Sequence, residues 1–154
     1  MKSFFVLAAL VASAFAQGIS IGSPAPHTEV TGGETITVEI DRPDTISGAE
    51  DVFVAIGVQQ CNGGCDKAPF IFGQIVAKGD FNPQRDSDPT KPPHQNFTVT
   101  LPSITTDDTG IGEIRLSVAH LALVGASLFP TVDTANITLN VVPPNVVGHG
   151  ADGS

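Results

Sequence analysis

The stretch that decides the fold is VFVAIGVQQCNGGC, residues 52–65. β-branched side chains occupy every second position of its first half, at Val52, Val54, Ile56 and Val58. A period of two is what a strand imposes on its side chains, and β-branched residues favour extended backbone. The stretch therefore predicts a central β-strand that ends in a short turn bracketed by cysteines.

The two cysteines of this stretch, Cys61 and Cys65, bracket Asn-Gly-Gly, which tolerates positive φ and turns tightly. A chain that enters an oxidising compartment has its cysteine pair bridged rather than free or bound to a metal. By chain entropy a bridge across so short a loop contributes about 2 kcal/mol. We therefore predict a Cys61–Cys65 disulfide that rigidifies one presented loop more than it holds the domain together.

The amino terminus has the three parts of a secretory signal peptide. Residues 1–2 form a short positive region, residues 4–11 are apolar, and Ala14-Phe15-Ala16 is a small-x-small cleavage signature. The apolar run is too short and too close to the terminus for a transmembrane anchor. We expect cleavage after residue 16, one domain at residues 17–143, a flexible polar tail at residues 144–154, and release to the extracellular space.

Further alternating segments follow along the chain. With the central strand they give seven predicted strands, at residues 19–21, 35–41, 52–59, 70–77, 96–101, 112–122 and 137–142. Four prolines place a long loop at residues 81–95. Residues 123–130 are ambiguous, because their Ala and Leu content allows a helical turn that Gly125 and Pro130 keep short. This pattern predicts an all-β protein, an antiparallel β-sandwich of immunoglobulin or fibronectin type, with a small closed barrel as the alternative.

The charge balance restricts the partners. Asp and Glu number 16 against 7 Lys and Arg, for a formal net charge of −9. This charge disfavours nucleic acid and anionic membrane surfaces. The chain also lacks tryptophan and tyrosine, so stacking on sugars is poorly supported. We expect a monomer with neither a nucleic-acid nor a membrane partner.

The histidines and aspartates give weak indications of chemistry. Copper-dependent oxidative cleavage of polysaccharides needs a histidine at the mature amino terminus, where this chain has Gln17. His120 falls on the core side of a predicted strand, but no nucleophile-elbow sequence accompanies it, so a hydrogen-bonded structural histidine is preferred over a Ser/His/Asp hydrolase. Asp80, Asp86 and Asp88 lack the full pattern of a calcium loop. We predict no enzymatic activity and no cofactor.

Two N-glycosylation sequons are present, Asn96-Phe97-Thr98 and Asn136-Ile137-Thr138. Each asparagine starts a predicted strand and precedes an apolar residue, so its side chain points opposite to a buried neighbour. We therefore predict that Asn96 and Asn136 face solvent and carry glycans.

Several segments of the chain, in the order in which they occur, are similar to those of a protein family. They are VFVAIGVQQC at residues 52–61, FGQIV at 72–76, GDFNP at 79–83, FTVTLP at 97–102, SVAHLALVGASLFP at 117–130 and ANITLNVV at 135–142. Together they resemble the fungal necrosis-inducing secreted protein family, over residues 36–142. The resemblance implies a small, non-enzymatic effector that binds host receptor-associated kinases and suppresses pattern-triggered immunity, with cell death in some hosts. It also matches the family's paired cysteines to Cys61 and Cys65.

We therefore expect a secreted, non-catalytic effector that binds a host protein. Because kinase domains lie in the host cytoplasm, this expectation requires either uptake of the protein or an extracellular partner. The candidate contact surfaces are residues 61–65, with Asn62, Asp66 and Lys67, and the loop at residues 81–95. A structural or adhesive module of the fungal cell wall is the first alternative, and a hydrolase that uses His120 is the second.

Overall fold

The computed structural model describes residues 18–44, 48–104 and 112–144. Over these residues the chain forms eight β-strands and no helix, so the all-β prediction is confirmed. The strands are β1 Ser20–Ser23, β2 Glu29–Val30, β3 Thr35–Asp41, β4 Ala49–Cys61, β5 Gln74–Asp80, β6 His94–Thr100, β7 Gly112–Val124 and β8 Phe129–Val141. The predicted signal peptide at residues 1–16, and the predicted tail beyond residue 144, lie outside the described residues.

The strands form two sheets around one core. A three-stranded sheet has the order β1-β3-β6, and a five-stranded sheet has the order β2-β8-β7-β4-β5. Neighbouring strands are antiparallel except for β2, which pairs parallel to β8. β4 lies between β7 and β5, as expected of a central strand, and its alternate residues Val54 and Ile56 are fully buried. Within the described ranges, no helix is long and apolar enough to cross a membrane.

Two differences from the predicted strands concern the ends of the sheets. β2 is only two residues long, too short to show alternation, and it raises the count from seven to eight. β5 begins at Gln74 rather than at residue 70, because the preceding segment crosses the outer side of β4 instead of pairing with it. There Phe72 lies against the backbone of Gly57, where a β-carbon would be 2.4 Å from the Phe72 carbonyl oxygen.

The segment at residues 123–130, left open by the sequence, is a β-hairpin. β7 continues to Val124, which pairs with Phe129 at the start of β8. The helical-turn alternative is therefore wrong. β8 begins eight residues before the predicted residue 137, and its first half was missed because its core side carries Thr131 and Asp133 rather than apolar residues.

Candidate functional site

The turn after β4 contains a disulfide between Cys61 and Cys65, whose Cα atoms are 4.9 Å apart. Both cysteines are buried. We call residues 61–73, from this disulfide to the start of β5, the cysteine loop. Its first turn is closed by a hydrogen bond from the Gly64 N–H to the Cys61 carbonyl at 3.3 Å.

Arg115 of β7 lies beneath the cysteine loop, with 9% of its surface exposed. Its guanidinium donates a hydrogen bond to the side-chain oxygen of Gln59 at 2.8 Å. It also donates to three carbonyls of the loop, those of Cys65, of Ala68 at 3.4 Å and of Pro69 at 3.2 Å. Because a guanidinium holds its donors in a fixed fork, these bonds fasten the loop backbone to the sheet at several points.

Two further side chains at the same end of the sheet hold the cysteine loop. The Gln59 side chain donates to the Pro69 carbonyl at 2.8 Å and accepts a hydrogen bond from the Ile71 N–H at 3.3 Å. The Glu113 carboxylate accepts a hydrogen bond from the Cys65 N–H at 2.7 Å. Together with Arg115 they satisfy backbone groups that would otherwise be buried without partners.

The cysteine loop presents apolar side chains to solvent. Phe70 and Ile71 are 54% and 56% exposed, and Ile75 in the adjoining strand β5 is 55% exposed. The Arg115 guanidinium carbon lies 5.7 Å from the centre of the Phe70 ring, within range of a cation–π contact. A surface that is ordered before it meets a partner loses little conformational entropy on binding, and buried aromatic anchors dominate binding energy at interfaces.

The predicted contact residues of this loop, Asn62, Asp66 and Lys67, are all exposed. The sequence missed Phe70 and Ile71, because residues 70–77 resemble a strand whose alternate side chains would be buried. Three consecutive apolar residues at 70–72 break that alternation, and this break is the signal that could have identified them.

His120 lies in the core, fully buried, on the side of β7 that its position in the strand predicts. Its Nε2 is 3.0 Å from Asp51 Oδ1 and its Nδ1 is 3.8 Å from Asp133 Oδ2. Its ring meets that of Phe81 edge to face, with centroids 5.0 Å apart. His120 is thus a buried residue whose nearest charged neighbour is the Asp51 carboxylate.

Burial lowers the pKa of His120 below its usual value of 6.5, and the neighbouring carboxylate of Asp51 only partly opposes this. Asp51 also accepts a hydrogen bond from Arg42 Nε at 2.9 Å. The carboxylates of Asp51 and Asp133 both lie within 4 Å of the imidazole nitrogens.

Packing and hydrogen bonds hold both ends of the loop at residues 81–95. Phe81 is buried, and Gln84 and His94 exchange backbone hydrogen bonds at 2.9 and 3.0 Å. Asp88 accepts hydrogen bonds from the backbone and hydroxyl of Thr90. The Asp88 carboxylate therefore accepts hydrogen bonds within its own loop. The described residues contain no group of three or more His, Cys, Asp or Glu arranged to hold a metal.

Both sequon asparagines are exposed, Asn96 in β6 and Asn136 in β8. They lie within their strands rather than at the starts that the sequence predicted. Phe97 and Ile137, which follow them, are partly buried against the core, so each asparagine points away from it. Glycosylation of these residues stays a prediction.

A family model described as the Nis1 family matches residues 12–140. No curated protein matches the chain. Three solved structures of superoxide reductase (neelaredoxin) from Ignicoccus hospitalis are 11%, 11% and 9% identical, with TM-scores of 0.44, 0.43 and 0.42. The matches cover 84%, 83% and 83% of this chain and 82%, 81% and 81% of theirs. Scores this low support no argument about activity.

Proposed function

This chain belongs to the Nis1 family, and we propose that it is a secreted fungal effector that acts by binding a host protein rather than by catalysis. The partner proposed is a plant immune receptor-associated kinase, and the outcome is suppression of pattern-triggered immunity or cell death. Secretion would use the signal peptide proposed at residues 1–16, followed by uptake where the kinase domain is the target.

The observation that carries this proposal is the cysteine loop. It combines exposed Phe70 and Ile71 with a backbone that Arg115 holds from beneath. An ordered loop with an aromatic and an aliphatic anchor is suited to bind a protein, because little order has to be acquired on association. The finer fold assignment, an immunoglobulin- or fibronectin-like sandwich, belongs to the same proposal. It is supported by the β1-β3-β6 sheet, the β5-β4-β7-β8 order and the division of β1 and β2 between the sheets.

The test is to express the protein in leaf tissue, measure the oxidative burst after an elicitor, and recover bound proteins by affinity purification. The parent protein should suppress the burst and recover a kinase. A Phe70→Ser, Ile71→Ser double variant should lose about tenfold or more of that recovery, since it removes two anchors. The matched control is Phe129→Ser, which removes a 69% exposed aromatic side chain at the opposite end of the sheet.

Each outcome of this test has a distinct meaning. Loss in the double variant, with the control unchanged, supports the cysteine loop as the contact surface. Equal recovery by both variants would place the contact elsewhere. If the parent neither suppresses the burst nor recovers a partner, the effector proposal fails. Urea unfolding of each variant separates a lost contact from a lost fold.

A module of the fungal cell wall is the second candidate, because Asn96 and Asn136 are exposed on different sheets and can carry glycans on two sides of the molecule. Fractionation of the fungus distinguishes the two functions. Protein retained in the wall after detergent washing supports the module, and protein free in the medium supports the effector.

A further inference from the structure

The second surface of interest is the outer edge of β8. β7 pairs with β8 along its whole length, whereas β2 covers only Asn140 and Val141 on the other side. A hydrogen bond from the His27 N–H to the Thr138 carbonyl, at 2.7 Å, covers one further residue on this side of β8. Among the described residues, no strand pairs with the outer edge of residues 129–137.

The hydrogen bonds made by Thr138 and Asn140 show which backbone groups of β8 face its open edge. The Thr138 carbonyl and the Asn140 N–H bond to residues 27–28, so they point outward. Alternate residues of a strand direct both backbone groups to the same edge, and the β7–β8 register has no bulge. Val132, Thr134 and Asn136 therefore point their N–H and C=O groups outward. Within the described ranges these groups form no backbone hydrogen bond, although β1 approaches β8 from the other sheet.

The side chains along this edge define what would fit it. Val132 is 68% exposed on the outer face, and Leu128 and Phe129 are 52% and 69% exposed at the adjoining turn. Asp133, on the other face, has a side chain that is 36% exposed. β8 carries no lysine or arginine, the residues that commonly protect a strand edge from pairing. Pro130 limits the edge at one end because it has no N–H.

We propose that the edge of β8 between Pro130 and Ile137 binds an extended, basic peptide segment of a partner protein as an added strand. Apolar side chains of that segment would lie beside Val132, and a lysine or arginine beside Asp133, since neighbouring residues of paired strands face the same side. A second copy of this chain fits less well, because each copy carries a net charge of −9. This surface is independent of the cysteine loop and of the effector role.

The test uses isotope-labelled, unglycosylated protein and an eight-residue peptide of alternating valine and lysine, followed by amide hydrogen exchange. Hydrogen exchange of the Val132, Thr134 and Asn136 amides should slow about tenfold or more on saturation, because the peptide gives them acceptors. Amides of the intervening residues, already bonded to β7, should change little. A peptide with glutamate in place of lysine should bind about tenfold more weakly, since it repels Asp133. A lysine peptide methylated at every amide nitrogen should give no protection, since neither of its edges can then approach β8 as a strand.

Two variants test whether the peptide binds at the outer edge of β8. Val132→Lys should weaken binding of the lysine peptide about tenfold or more, by removing the apolar contact and adding a like charge. Its matched control is Thr37→Lys, which adds the same charge at an exposed position of β3 and should bind as the parent does. The proposal is overturned by unprotected amides at millimolar peptide or by equal binding of the glutamate peptide. It is also overturned by protection that rises with protein concentration alone, which would identify a second copy as the occupant.

Discussion

The two ends of the five-stranded sheet both expose apolar side chains, but they support them differently. At one end, Phe70 and Ile71 belong to a loop fastened by a disulfide and by Arg115. At the other, Phe129 and Val132 begin a strand whose outer edge is open. One surface is ordered by bonds already made, and the other offers bonds still to be made.

The buried ionisable groups beneath the two ends of the sheet, Arg115 and His120, differ in a similar way. Both terminal nitrogens of the Arg115 guanidinium donate hydrogen bonds where the side chain is buried. The imidazole of His120 lies near the carboxylates of Asp51 and Asp133, and burial lowers its pKa. Exposed apolar residues thus mark a surface, whereas the groups beneath them decide whether it is rigid or open.

The largest effect is expected for Arg115→Met, which keeps much of the side-chain volume but removes every donor. The free energy of unfolding should fall by about 2–4 kcal/mol, because several buried acceptors lose their partner. The control is Arg85→Met, whose ion pair with Asp44 is exposed and should cost less than about 0.5 kcal/mol. Urea unfolding measures both. Equal losses would mean that the cysteine loop does not depend on Arg115.

Glycines at the two ends provide the next test. Gly73 has φ +78°, and a β-carbon there would lie 2.2 Å from the Val58 carbonyl oxygen. Gly73→Ala should therefore cost about 2–3 kcal/mol, from left-handed backbone and from the clash. Gly125, in the hairpin turn, has φ +73° with nothing within 4 Å, so Gly125→Ala should cost only about 1 kcal/mol. Thermal and urea unfolding distinguish these values. A larger loss at Gly125 would reverse the assignment of the rigid end.

Replacing both cysteines by alanine tests how far the disulfide acts. The free energy of unfolding should fall by about 2 kcal/mol, the chain-entropy value for so short a loop. Amide exchange should become faster at Lys67 and Ala68, whose N–H groups bond to Gly64 within the loop. Exchange at Leu128, in the hairpin turn, is the internal control and should not change. Faster exchange at both ends would show that the bridge stabilises the whole domain.

The smallest effect expected is a pH dependence from His120. Since its pKa is lowered in the folded state, the unfolded chain binds the proton more readily, and its contribution to stability is present above pH 6.5 and lost below it. The loss is at most about 1.4 kcal/mol one unit below that value. Urea midpoints at about pH 7.5 and pH 5.5 measure it, with His120→Leu as the variant that should flatten this part of the profile. An unchanged profile in that variant would contradict the assignment.

The sequence predicts those parts of the fold where neighbouring residues carry the signal. β3 has the bounds that its alternation predicts, and the core side of β4 follows from Val54 and Ile56. The first half of β8 escapes prediction because Asp133 occupies a core-side position beside His120. That placement depends on a residue from another strand, which periodicity does not reveal.

The candidate site is less accessible to sequence reasoning than the core. Arg115 alternates with apolar residues on β7 and so resembles an ordinary solvent-facing charge, yet the cysteine loop covers it. Its acceptors at residues 65–69 are distant in sequence and are backbone atoms, which no side-chain pattern identifies. The cysteine pair could be predicted to form a presented loop, but the support beneath that loop could not.

The hydrogen bonds from Arg115 have a consequence for the evolution of this surface. They end on the carbonyls of Cys65, Ala68 and Pro69, and every amino acid has a carbonyl. Exposed side chains of the loop can therefore be exchanged in evolution while the bonds that shape the loop are kept. The scaffold separates the part that must persist from the part that is free to diversify.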